Sequence, residues 1–191
     1  MCQSNLYVTA DLHLGYTNII RCHNRPFMDV EEMDRVLLEK WNDTVCVDDI
    51  VYFLGDLSYR ENAKDMNYWL KRLSGNIVFI KGEQDSIENT EFLLDNVIVN
   101  VGDEQFCLVH DPADAPENFD GWIIHAHLSS HDLEKRRFID RERKTINVST
   151  ELTDYRPISF AEIIEIISWA DSIYYEPDYL ETYEAPEIVQ D

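Results

Sequence analysis

Residues 49–56, Asp-Ile-Val-Tyr-Phe-Leu-Gly-Asp, and residues 76–85, Asn-Ile-Val-Phe-Ile-Lys-Gly-Glu-Gln-Asp, follow one pattern. Each is a short apolar run rich in β-branched and aromatic residues, closed by glycine and a carboxylate. Such runs, bounded by turn residues, predict buried strands. Upstream, Asn5-Leu6-Tyr7-Val8-Thr9-Ala10 reads the same way and ends at Asp11-Leu12-His13. Downstream, Val97–Val101 and Gln105–Val109 flank a Gly-Asp-Glu turn, which predicts a hairpin ending at His110. Gly121-Trp122-Ile123-Ile124 then leads into His125-Ala126-His127, and Thr145–Ser149 reads as a last strand.

Helices are expected between these runs. One starts near Asp29, with Glu32 as its capping-box partner, and continues through Met33, Val36, Leu37 and Trp41 at helical spacing. A short one is expected from about Ala63 to Leu73, and another from Ser159 to Trp169. Strands alternating with helices, followed by a strand-rich half, predict an α/β layered domain. We place that domain at residues 1–170, with an acidic, Tyr-rich tail at 171–191.

Composition bounds the function. The 191 residues carry 38 acidic and 16 basic side chains, a formal net charge of -22, which disfavours phosphate backbones and anionic membranes. With 45% hydrophobic residues the chain can bury a core, so disorder is excluded as the general state. The start of the chain runs from Met1-Cys2-Gln3-Ser4-Asn5 directly into an apolar strand, and no run is long enough to span a bilayer, so a cytoplasmic protein is expected. Cys2, Cys22, Cys46 and Cys107 stand too far apart for a zinc clamp or redox motif, and read as free thiols. The acidity is uneven. Beyond Arg156 there is no Lys or Arg, whereas Asp132–Lys144 holds six basic and four acidic residues. Salt adaptation and an acidic contact arm for a protein partner both account for the excess.

The decisive regularity is that five apolar runs end in ligand-type residues: Asp11 with His13, Asp56, Glu83 with Asp85, His110, and His125 with His127. Sites in α/β sheets form beyond the carboxyl ends of strands. Carboxylates mixed with imidazoles suit Mn, Fe or Zn better than Ca. Taken singly, each residue has an ordinary reading, since Asp caps helices and forms turns, and a lone His is usually a satisfied polar group. Taken together, in this order and placement, they mark one site.

These residues give the chain its resemblance to the calcineurin-like metallophosphoesterases. The family pattern runs Asp-x-His, Gly-Asp, Gly-Asn-His-Asp/Glu, His and Gly-His-x-His. Here it stands as Asp11-Leu12-His13, Gly55-Asp56, Gly82-Glu83-Gln84-Asp85, His110 and Ala126-His127-Leu128-Ser129. The stretches TNIIRCHNRPF, EEMDRVLLEKWN, DDIVYFLGDLS and NVSTELTDYRPISF look like a small microbial and phage branch. The resemblance covers about residues 5 to 165. It implies a four-layer α/β sandwich with two mixed β-sheets at its centre. It also implies two divalent metals: Asp11 and His13 on the first, Asp56 bridging, and Glu83, His110 and His127 on the second.

Three positions depart from the family pattern. Glu83 replaces an Asn ligand, and its added charge would tighten metal binding while lowering Lewis acidity. Gln84 replaces the catalytic His and can donate a hydrogen bond to the phosphate but supplies no proton. That loss is worth about 10²–10⁴-fold in rate. Ser129 replaces a ligand of the first metal, so that site is expected to be the weaker, its shell completed by water or by His131. Arg25 is a candidate contact for substrate phosphate, as is the basic run Arg136, Arg137, Arg141 and Arg143; a solvent-exposed, charge-laced loop is the ordinary alternative. Tyr16 and His23 read as loop or packing residues. The expected function is hydrolysis of a phosphomonoester or phosphodiester by a metal-bound hydroxide. The alternative is a catalytically degenerate member that binds a metal, a ligand or a protein partner.

Overall fold

The computed structural model describes residues 4–58, 66–82, 85, 94–126 and 137–169. Strand β1 (Leu6–Thr9) is followed by helices α1 (Thr17–Cys22) and α2 (Val30–Thr44), then by β2 (Ile50–Phe53), α3 (Met66–Leu70) and β3 (Asn76–Phe79). The second half contains β4 (Val97–Val101), β5 (Glu104–Leu108), β6 (Trp122–His125), β7 (Ile139–Asp140), β8 (Thr145–Asn147), β9 (Ile158–Ser159) and α4 (Phe160–Trp169). These strands form two sheets, one in the order β3-β2-β1-β9 and one in the order β4-β5-β6-β8-β7. Each sheet is mixed. In the first, β1, β2 and β3 run parallel and β9 antiparallel; in the second, β5, β6 and β8 run parallel between antiparallel edges.

Alternation along the strands explains the layering. In β2, Val51 and Phe53 point to one face, where they join Met33, Leu37 and Trp41 of α2 and Trp69 of α3. Tyr52 and the following Leu54 point to the other, where they join Val8 and Ala10. There they meet Phe106, Leu108, Ile124, Ile146 and Val148 from the second sheet. Strands buried on both faces are apolar throughout, which is why residues 50–54 read as a continuous run rather than an alternating one. Helix α4 closes this inter-sheet core through Phe160, Ile163 and Ile167, with the Phe160 ring edge-on to Tyr52 and Phe106 at 6.0 and 5.3 Å. The result is the fold class implied by the resemblance, an α/β sandwich built on two mixed sheets.

The expected helix at Asp29 is present. The Asp29 side chain accepts from the Glu32 N–H at 2.8 Å, and the Glu32 carboxylate reaches back one residue further than a capping box, to the Met28 N–H at 2.7 Å. The β4–β5 hairpin is also as expected. Helix α3 is shorter than the periodicity suggested, because residues 71–73 leave the helix in turns and residues 63–65 lie outside the described residues. Helix α1 and the two-residue strands β7 and β9 escaped the sequence reading. Cys22, Cys46 and Cys107 are free thiols, with Cys107 buried in the second sheet. No helix among the described residues is long and apolar enough to cross a membrane. The 171–191 tail lies outside them.

Candidate metal centre

The site grows out of the parallel pairing of β1 with β2, which continues past the ends of both strands. The Asp11 N–H donates to the Gly55 carbonyl, the His13 N–H to the Asp56 carbonyl and the Leu14 N–H to the Leu57 carbonyl, at 3.0, 3.0 and 2.9 Å. This loop-on-loop register puts Asp11, His13 and Asp56 side by side. It forces all three into the left-handed region, at φ 58°, 50° and 62°. Strain of this kind costs about 1–3 kcal/mol per residue and persists only where surrounding contacts over-determine the backbone.

Two sets of contacts do so. Asp85 accepts from the N–H groups of Asp56, Leu57 and Gly82 at 2.8, 3.1 and 3.0 Å, tying the end of β2 to the end of β3. Both of its oxygens serve the backbone, so Asp85 is a brace rather than the possible ligand its place in the motif suggested. Gly55 and Gly82 make the close approach possible. A Cβ on Gly55 would collide with the Gly82 backbone, and one on Gly82 would collide with the Asp56 carboxylate.

The second brace is Arg25. Its Nη2 donates to the Asp11 carbonyl at 2.6 Å and its Nη1 to the Leu12 carbonyl at 2.8 Å. Its Nε and Nη2 both meet Glu151 Oε1 at 2.9 Å. The guanidinium is wholly buried. The expectation that Arg25 contacts substrate phosphate is therefore corrected: its donors are turned inward onto the ligand loop. Glu151, which the sequence reading did not single out, also accepts from His23 Nδ1 at 3.0 Å. Burial works against the Glu151 charge, but Arg25 and the His23 hydrogen bond outweigh it and pull the carboxyl down to about 2.

At the centre, Asp11, Asp56 and His110 present ligand atoms that all lie within 4.8 Å of one another, and all three residues are buried. Asp56 Oδ2 stands 3.8 Å from His13 Nε2 and 3.8 Å from His110 Nε2. His110 donates from Nδ1 to the Leu54 carbonyl at 2.6 Å, which fixes the tautomer that turns the Nε2 lone pair toward Asp56. Burial, opposed by His110 and reinforced by Glu151 and Asp56, pushes the Asp11 carboxyl up to about 7. Burial also disfavours a charged His110, but Asp11 and Asp56 prevail and its pKa is raised. His13 goes the other way, down to about 3, through burial and then the nearby Arg25.

The donor set fits a divalent cation. Neither carboxylate oxygen of Asp11 has a hydrogen bond of good geometry among the described residues, the Ser149 hydroxyl standing only near enough to favour its charge weakly, and the Thr9 hydroxyl is likewise buried without a partner. Buried carboxylates are ordinarily paired, hydrogen-bonded or bound to metal. The structure brings together Asp11, His13, Asp56 and His110. Glu83, Gln84, His127 and Ser129 lie outside the described residues. His125 is turned to its own neighbour, with Nδ1 at 2.7 Å from the Ala126 carbonyl.

Fold and site together define a two-sheet α/β sandwich with a buried carboxylate–imidazole centre at its strand ends. No protein-family model matches the chain. The chain belongs to the family of the uncharacterized protein MJ1445 of Methanocaldococcus jannaschii, to which it is 41% identical over 169 residues, covering 87% of this chain and 93% of that protein. It is also similar to the Gene 66 protein of Mycobacterium phage L5, 33% identical over 84 residues, 43% of this chain and 40% of that protein. Among solved structures, a protein of unknown function from Aquifex aeolicus, AQ665, shares the fold at a TM-score of 0.64. It is 24% identical and covers 86% of this chain and 100% of that one.

Proposed function

We propose that the protein is a metal-dependent phosphoesterase that hydrolyses a phosphomonoester or phosphodiester. The observation that carries this reading is the convergence of the buried residues Asp11, Asp56 and His110, their ligand atoms within 4.8 Å of one another, with His13 beside Asp56. Asp11 and His13 would hold one divalent ion, and His110 with Glu83 and His127 a second, with Asp56 between them; Mn, Fe or Zn suits this mixture. Such a pair of ions supplies Lewis acidity toward phosphoryl oxygens and lowers the pKa of water.

The chain's own residues do the rest. Asp85 and Arg25 hold the ligand loops in their strained conformation, so the ligands need little rearrangement to close on a cation. The inter-sheet core behind the site excludes water from one side. Gln84 has an amide to orient a phosphate oxygen, and leaves the leaving group to depart unprotonated by that position. This favours substrates with good leaving groups, such as activated diesters or pyrophosphates. A second reading rests on the same residue together with Ser129: a degenerate member that binds a metal or a protein partner, the latter through the acidic tail.

Hydrolysis of p-nitrophenyl phosphate and bis(p-nitrophenyl) phosphate in Mn²⁺, with metal content measured after purification, separates the two readings. The expected result is bound metal and turnover above that of an Asp56→Asn protein. Turnover no greater than that blank sinks the enzyme reading.

A further inference from the structure

We infer that Ser149 is a positioning residue of the metal centre, its hydroxyl donating to the Asp11 carboxylate when a cation is bound. The inference deepens the metal-centre reading and rests on it. The two sheets meet beside the ligand. Just past the end of β1, Ala10 pairs in parallel with Ser149, which lies two residues beyond β8, and Asp11 is the next residue along. Ser149 is wholly buried. Its N–H donates to Asn147 Oδ1 at 2.9 Å and its carbonyl accepts from the Leu152 N–H at 2.8 Å, so its backbone is fixed on both sides. A serine at the start of a helical turn ordinarily spends its hydroxyl on the free N–H groups of that turn. Ser149 precedes the 3₁₀ turn Thr150–Leu152 and makes no such cap. The hydroxyl has no hydrogen bond of good geometry among the described residues, and it stands near enough to Asp11 to favour the charged carboxylate.

Asp11 needs such a donor. Its N–H is held by the Gly55 carbonyl and its own carbonyl by Arg25, so the braces already described act on its backbone and not on its side chain. A cation bound through one carboxylate oxygen leaves the other buried, and a buried charged oxygen is costly without a hydrogen bond. Ligating carboxylates are accordingly hydrogen-bonded from outside the coordination shell, which fixes the oxygen that faces the ion. Thr9, two residues before Asp11, carries another buried hydroxyl without a partner. Ser149 is favoured over it because it sits at the sheet junction and its hydroxyl already acts on the Asp11 charge. Arg25 and Ser149 then divide the task, one holding the main chain of the ligand and the other its carboxylate.

The test is a Co²⁺ titration of the full chain, read both as affinity and as the visible absorption of the bound ion. Wild type is compared with Ser149→Ala, with Ser149→Thr, which keeps the hydroxyl, and with Thr9→Val. Ser149→Ala should weaken one Co²⁺ step by about tenfold or more, the scale on which outer groups support a metal site. It should also shift the absorption band, because the Asp11 carboxylate is no longer held in one orientation. Ser149→Thr should return the band to its wild-type position, and Thr9→Val should match wild type in affinity and band. The band belongs to the folded, loaded molecules alone, so it does not depend on how many of them fold. Equal affinity and band in wild type and Ser149→Ala, a loss carried by Thr9→Val, or a Ser149→Thr band that stays with that of Ser149→Ala would overturn the assignment while leaving the metal centre standing. Wild type that binds no Co²⁺ would overturn both.

Discussion

Replacing Arg25 by methionine tests whether the ligand loop is held from beneath. The change keeps an unbranched apolar stem and removes the guanidinium, which leaves the Glu151 carboxylate, 4% exposed, with His23 as its remaining partner. Removing one member of a buried ion pair costs about 3–5 kcal/mol. The Asp11 and Leu12 carbonyls lose their donors as well, so the upper part of that range applies. Against a domain stability of about 5–15 kcal/mol this is a large fraction. The pH dependence gives the mechanism. Glu151 falls from its ordinary 4.5 to about 2 in the fold, so its contribution is fully present above 4.5 and is lost as pH falls through about 2. Without Arg25, burial keeps the carboxyl from ionising so readily, and the gap between wild type and variant should shrink as pH falls below 4.5. Urea unfolding from neutral pH down to about pH 3 measures this. A second change, Glu151→Leu, on the Arg25→Met background should recover part of the loss, because the stranded charge is gone. A loss under about 1 kcal/mol at neutral pH, or a double variant as unstable as the sum of its parts, would refute the reasoning.

Three further outcomes follow from the centre itself. Asp11→Asn should abolish metal binding yet raise the melting temperature of the chelator-treated protein at pH 8. A carboxyl raised from 3.8 to about 7 loses stability as pH climbs through that window, Asn carries no such penalty, and Asn tolerates φ 58°. The gain should be about 2–4 °C per kcal/mol recovered and should vanish near pH 4. Metal affinity, measured by calorimetry in buffers of different ionisation enthalpy, should fall about tenfold per pH unit below 7, because a proton must leave Asp11 before a cation enters. Gly82→Ala should destabilise the protein by about 1–3 kcal/mol and weaken metal binding, since the new methyl occupies the place of the Asp56 carboxylate; calorimetric melting and a metal titration check both.

What was legible in the sequence was local. Strands β1, β2 and β3 announce themselves as apolar runs, and Asp11, His13, Asp56 and His110 lie two to four residues beyond the ends of β1, β2 and β5. A ligand at the end of a strand needs no tertiary information to be suspected. Strands β7 and β9 have two residues each, too few to carry a period, and exist only because β8 and β1 offer them edges. Arg25 was misread for a related reason. An arginine beside a predicted site suggests anion binding, and the reason it turns inward is Glu151, 126 residues away. The Asp85 brace was half legible: its place in the motif marked it as important, while its role depends on the loops of β2 and β3 meeting. His23 shows the same limit, for its carboxylate partner is distant in sequence by 128 residues.

The distribution of buried charge leaves this centre able to take a cation rather than closed by an internal ion pair. Arg25 is the buried cationic side chain next to the ligands, and it meets Glu151 and two carbonyls rather than the carboxylates of Asp11 or Asp56. Had the guanidinium faced the Asp11 carboxylate, that group would be depressed and satisfied, and a metal would have to displace a bidentate partner. Instead the brace acts on the backbone and leaves the ligand charges unneutralised, which is why burial drives Asp11 up to about 7 while Glu151, a few residues along the second sheet's exit, sits at about 2. The same burial that penalises two neighbouring carboxylates would strengthen their attraction for a divalent ion. A net charge of -22 adds long-range attraction for cations and repels free phosphate esters, so a phosphate substrate is compatible with this chain only where bound metal reverses the local sign. Burial costs stability at Asp11, while Glu151 and Asp85 hold the loops through contacts that leave the ligand atoms open, an arrangement that would accept a divalent ion.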